Sequence, residues 1–326
     1  MRSLPPVSPS PPRTPLSRST PPPCPSARST PAPACSRSTI PAGTLTLSQA
    51  NTYTGATTIS GGTVAISTDG NLGTAPGAAT PGHLTLAGGT LQTTATMTLA
   101  SNRGIALGAG GGTLQVDGTT LTYNGIAAGA TALTKSGAGT LTLGGVGTYS
   151  GGTTITGGAV NIDSAGVAGT GTIAIGANTL FISSGAVVSN AVTINGGSIQ
   201  ATVGSGTLQT GGVTLLGTST FSNSVPLAVS AAISGVGFGI TKMGAGTVTL
   251  SGANTYTGPT TVNAGTLKAG VASVANTSGA FGNNSAVTLA NTAGVTLDIT
   301  GFATQIGSPR RFPSAGIIQV PRPMPA

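Results

Sequence analysis

"GTLTLSQANTYTG" occupies residues 43–55, and nearly the same words return as "GTLTLGGVGTYSG" at 139–151 and "GTVTLSGANTYTG" at 246–258. In each copy aliphatic residues alternate with hydroxyl residues: Leu45 and Leu47, Leu141 and Leu143, Val248 and Leu250. A period of two marks a half-buried β-strand. A polar corner follows, closing in Thr-Tyr-(Thr/Ser)-Gly around Tyr53, Tyr149 and Tyr256. A second short strand carries Ile59, Ile155 and Val262, and after a glycine turn a third opens at Val64, Val160 and Leu267. The separation is identical from Leu45 to Val64, from Leu141 to Val160 and from Val248 to Leu267.

Three short strands in about 20 residues fit one coil of a parallel β-helix. A single coil cannot bury its inward side chains, so it stacks on the next and shares backbone hydrogen bonds with it. Glycine supplies the positive-φ corners, and threonine suits outward positions because its β-branch favours strands. The clear copies begin at Gly43, Gly139 and Gly246, and weaker echoes start at His83, Gly111, Ala191 and Ala286. The fold class expected is all-β: a right-handed parallel β-helix of about 12 coils at ~4.8 Å per coil. The competing architecture, a β-sandwich or stacked meanders, needs aromatic anchors, and only four Tyr and six Phe are present.

Composition divides the 326 residues into three domains. Residues 1–41 hold 13 of the 22 prolines and read as a disordered Pro/Arg/Ser-rich tail. Residues 308–326 repeat that bias, and between the tails residues 42–307 contain only Pro76, Pro81, Pro226 and Pro259. The formal charge of +8 comes from the tails, because the middle balances Arg103, Lys135, Lys242 and Lys268 against Asp69, Asp117, Asp163 and Asp298. Nucleic acid as a partner needs cations clustered on a folded face, and this pattern argues against it. Cys24 and Cys35 both lie in the first tail, outside any metal-binding spacing. The start of the chain lacks the apolar core of a signal peptide, and no run of 18 apolar residues could form a membrane-spanning helix.

The stretch "AAISGVGFGITKMGAGTVTLSGANTYTGPTTVNAGTLKAG", 231–270, closely resembles the autotransporter-associated β-strand repeat of bacterial type V secreted passengers. Residues 125–160 and 42–64 are similar to further copies, and "LDITGFATQIGS" at 297–308 resembles another phrase of these passengers. The resemblance implies a β-helical stalk passed through an outer-membrane translocator barrel and displayed on the cell surface, with no catalysis and no cofactor. Neither a signal peptide nor the barrel that the family carries is visible in this chain. The first copy also has Thr39-Ile40-Pro41-Ala42 where the second has Lys135-Ser136-Gly137-Ala138. The abrupt tails read as frame-shifted sequence, as the edges of a fragment, or as natural Pro-rich linkers.

Catalytic chemistry on a β-helix needs clustered carboxylates, a base or a metal. The chain has no Glu, one His and four scattered Asp, so the expectation is no enzyme, no catalytic residues and no metal. His83 is expected at a solvated corner, and Asp69 and Asp117 as Asx corners. The alternative functions are a secreted β-helical adhesin or ice-binding protein and, behind these, a carbohydrate-active enzyme. The Thr-x-Thr pairs at 44/46, 140/142 and 247/249 recur only once per clear copy of the phrase, which argues against an ordered threonine array. A host or cell-surface ligand would be sought at 69–83 and 271–285, the widest departures from strand text.

Overall fold

The computed structural model describes residues 36–38, 43–183, 185–201, 203–209, 211–307 and 317–319, all within one compact unit, Pro33–Ala326. Most of both flanks, including the two cysteines, lies outside the described residues. The unit is a parallel β-solenoid of about 11 turns. Successive strands pair with those one coil away, making three faces. The first face runs through ten strands from Thr44–Leu47 to Ile233–Ser234, and the second through ten from Met97–Leu99 to Val287–Leu289. The third has five strands from Ser36–Ser38 to Ala127–Gly129, then resumes as seven from Val187–Val188 to Ile317–Gln319. The outermost strands of this face fall in the flanks, where Ser36–Ser38 pairs with Thr57–Ile59 and Ile317–Gln319 with Thr296–Asp298.

Register explains the core. On the second face Leu121, Leu141, Val160, Leu180, Ile199 and Phe221 stand directly above one another, and all are fully buried. Each such side chain gains about 1.5–3 kcal/mol by leaving water, and only the coils on either side provide the cover. Ile59, Val64, Leu143, Ile155, Val248, Leu250, Val262 and Leu267 are buried in the same way. Leu45 is exposed and Leu47 half-buried: they sit on Thr44–Leu47, the outermost described strand of the first face, with no described strand beneath it.

Coil length is less regular than the copies suggest. Thr153 meets its partner in the next coil at Ile173, whereas Thr57 does so no earlier than Leu84 and Thr260 no earlier than Val287, so the coils that follow Tyr53 and Tyr256 are markedly longer. The turns number about 11, against the 12 expected, and these are the solenoid's two long coils. They also hide a regularity. On the first face Thr63, Thr90, Thr113, Thr134 and Thr154 form one outward column, interrupted at Ala174 and resumed by Thr193 and Thr214. A threonine array therefore exists where none was expected. It is a single file, because the adjoining column reads Ala65, Gln92, Gln115 and Ser136.

Candidate functional site

The tyrosine corners are the most specific tertiary feature of the chain. In each copy the segment holding the tyrosine forms no strand and takes the place of one on a face. Tyr149 and Tyr256 are fully buried and Tyr53 is half-buried. Each phenol is hydrogen-bonded to the hydroxyl of a following threonine: Tyr53 with Thr57 at 3.0 Å, Tyr149 with Thr153 and Tyr256 with Thr260 both at 2.7 Å. Burial pushes the Tyr149 phenol up to about 12 despite the Thr153 bond, and it raises Tyr256 further still. A phenol with its hydroxyl partnered and its ring desolvated is an anchor, held in its neutral form.

The coil above covers each tyrosine with a Gly-x-x-Gly roof: Gly70–Gly73, Gly166–Gly169 and Gly279–Gly282. Two backbone bonds recur at identical offsets. The N–H two positions before the tyrosine donates to the first roof glycine, as Asn51 to Gly70 at 2.9 Å, Gly147 to Gly166 at 3.0 Å and Asn254 to Gly279 at 3.1 Å. The N–H after the second roof glycine donates to the tyrosine carbonyl, as Thr74 to Tyr53 at 2.8 Å and Thr170 to Tyr149 and Asn283 to Tyr256, both at 2.9 Å. The second glycine has φ of +74°, +71° and +86° in turn, and a Cβ there would collide with the tyrosine's carbonyl oxygen. Only glycine combines that conformation with that approach. The residue before it, Leu72, Ala168 or Phe281, is buried against the core.

Sequence reading missed this roof. It begins in text that departs from strand patterning, and Gly-x-x-Gly is a weak signal among 54 glycines. Its distance from the tyrosine is also inconstant, since Gly282 follows Tyr256 by more than Gly73 follows Tyr53 or Gly169 follows Tyr149. What could have found it is an apolar residue before the second glycine and Thr or Asn after it: "NLGT", "VAGT", "AFGN".

Charged groups serve the same corners. Arg103, which is buried, donates Nε–H to Asp69 Oδ1 at 2.8 Å and its Nη1 to the Leu72 carbonyl at 2.8 Å, and also binds the Gly73 carbonyl. It thereby locks the first roof from the coil above, a role taken at the second roof by Asn190 Nδ2, which donates to the Gly169 carbonyl at 3.0 Å. His83 is buried rather than solvated: its Nδ1 lies 3.5 Å from Arg103 Nη1 and its Nε2 3.3 Å from the Thr54 carbonyl. These partners come from different coils, so no local motif announces them. Asp117 accepts from the amides of Gln92 and Gln115 on its own face, at 2.6 and 2.7 Å, and Asp298 pairs with Lys268 at 3.3 Å.

Lys135 and Lys242 are inward-facing and fully buried. Lys135 Nζ donates to the carbonyls of Ser136, Gly137 and Gly157 at 2.7, 2.9 and 3.0 Å. Lys242 repeats this with Met243, Gly244 and Ala264 at 2.7, 2.7 and 3.0 Å. In both, two acceptors belong to the lysine's own corner and the third to the corner of the next coil, so each ammonium clamps two coils. Desolvation lowers both ammonium groups to about 8, opposed at Lys135 by Asp117.

The surface offers shallow corner grooves of about 370, 220 and 460 Å³, in which Asp117 is the one titratable side chain. Among the described residues no three His, Cys, Asp or Glu side chains gather as metal ligands. The geometry is that of a packed support.

The passenger-associated-transport-repeat model matches residues 42–66, 133–162 and 240–269. Each matched segment contains one tyrosine corner, and the second and third also contain the lysine clamps. The chain carries autotransporter passenger repeats. These repeats stop short of the roofs that cover them, which begin at Gly70, Gly166 and Gly279. A curated relative, the adhesin BmaC autotransporter of Brucella suis biovar 1 (strain 1330), is 34% identical over 367 aligned positions. The alignment takes in 82% of this chain and 10% of that protein, so the chain spans about a tenth of its relative's length. No solved structure matches significantly.

Proposed function

We propose that this segment is the β-helical stalk of an autotransporter passenger, exported through the outer-membrane translocator barrel of the full-length protein and displayed on the cell surface. Its role there is scaffolding and adhesion, without catalysis. The observation that carries the reading is the coincidence of all three matched repeats with the same roofed, threonine-bonded tyrosine corner. A relative that is named an adhesin supports the adhesive part. The described strands suit the route: they contain no cysteine to cross-link before passage, and each coil contacts only its neighbours, so winding can propagate outside the membrane.

The test is to place the chain between a signal peptide and a translocator barrel. Intact cells should then expose a protease-resistant β-rich core, and beads coated with the purified chain should bind host cells or matrix. Retention in the periplasm would refute the stalk reading, and displayed but non-binding protein would refute adhesion alone.

A further inference from the structure

The tyrosine corners take larger changes of coil length than the ordinary coils do. Coils without such a corner range from Leu180 pairing with Ile199 to Met97 pairing with Leu121, and both coils that exceed this range, Thr57 to Leu84 and Thr260 to Val287, lie at a tyrosine corner. The second copy is the minimal case, in which Gly169 roofs Tyr149 and the next strand begins soon after, at Ile173. The first copy keeps the same spacing from Tyr53 to Gly73, but pairing with Thr57 does not resume until Leu84. The third lengthens the stretch from Tyr256 to Gly282 instead, and its strand resumes promptly at Val287. Extra sequence therefore follows the roof glycine in one copy and precedes the roof in another, while the roof bonds stay the same. The additions are at the surface: Gly77–Pro81 are exposed in the first, and Ala272 and Val274–Thr277 in the third.

We propose that the tyrosine corner with its Gly-x-x-Gly roof is a mounting socket, at which a coil can carry extra surface segments without opening the core. Pinning explains it. The tyrosine's ring and carbonyl, both packed against the second roof glycine, the buried residue before that glycine and the two backbone bonds hold the Gly-x-x-Gly span in place. The chain on either side is then a closed loop whose lengthening costs little. An ordinary strand offers no such freedom, because a one-residue slip there turns its aliphatic side chains to water.

The three copies also set their sockets on different sides. The phrase strand lies on the first face at Thr44–Leu47, on the second at Thr140–Leu143 and on the third at Thr247–Leu250. The tyrosine corners therefore replace a strand of the second, third and first face in turn, so sockets lie on all three sides, with the first and third carrying extra segments and the second empty. This inference holds whether or not the chain is adhesive, and it names where sequence for contact with a partner can be added.

The test uses the second socket of the full chain. A copy of Ala75–Pro81 is inserted between Thr170 and Gly171, and, separately, a copy of Ala272–Thr277 between Ser164 and Ala165. Both variants should keep the β spectrum and the urea midpoint of the parent. The same Ala75–Pro81 copy placed between Thr207 and Leu208, inside a strand of the third face, should abolish the transition. In a Tyr149→Ala background the insert at Thr170 should lower the midpoint well beyond the effect of Tyr149→Ala alone. Deleting Ala272–Thr277, which restores the shorter tyrosine-to-glycine spacing at the third socket, should leave the fold intact. The proposal is overturned if the socket inserts unfold the chain as the strand insert does, if their cost is the same without Tyr149, or if the deletion unfolds it.

Discussion

Replacing Lys242 with methionine keeps the aliphatic stem in the core, between Phe221 and Val262 in register, and removes the ammonium alone. The carbonyls of Met243, Gly244 and Ala264 lose their donor. They lie at a corner that water can reach, and the same change relieves the desolvation of the ammonium, so the two effects oppose each other and the net change at pH 7 is within about 1 kcal/mol. The pH dependence is the sharper readout. The folded-state value of Lys242 is about 8 against 10.5 when unfolded, so between these limits the unfolded chain binds the extra proton. Stability then rises with pH, by about 1.4 kcal/mol per unit for each clamp. Lys135 has the same folded value, so Lys242→Met should halve the wild-type rise between pH 8 and 10, and the double variant should abolish it. Urea unfolding followed by circular dichroism at half-unit pH steps measures both effects. A Lys242→Met profile parallel to wild type would refute the reasoning, by showing that the three carbonyls already cancel the desolvation of the ammonium.

Above pH 10 the sign reverses. The Tyr149 phenol ionises at about 12 in the fold against 10.0 unfolded, and Tyr256 and Tyr123 are raised further, so stability should fall steeply from pH 10 upward in the same titration. Gly169→Ala should cost well over the roughly 1 kcal/mol of a positive-φ alanine, because its Cβ also meets the Tyr149 carbonyl. Gly166→Ala, at φ +73° with open space around it, should cost only that conformational increment, and paired thermal melts compare the two. Arg103→Met leaves Asp69 and the roof carbonyls without their partner and should destabilise by about 3 kcal/mol, with hydrogen exchange rising first at residues 69–74. The single-file threonine column should give no thermal hysteresis in an ice-growth assay, since its neighbouring column carries glutamines.

Alternation and repeat arithmetic sufficed for the coil. Leu141, Ile155 and Val160 are inward because a period of two leaves an aliphatic residue nowhere else to hide once coils stack, and the phrase around Tyr149 carries its own strand, corner and strand. That information is local, since one short consecutive stretch specifies each coil. What the tertiary structure alone decided are relations between coils. The roof over Tyr53, the Arg103–Asp69–His83 cluster and the third acceptor of each lysine clamp all join one coil to another. Variable coil length scrambles those separations, so no fixed period reveals them. His83 shows the reason plainly: beside Pro81 and Gly82 it reads as a polar corner, and only the stacking of the next coil brings Arg103 over it and takes it out of water.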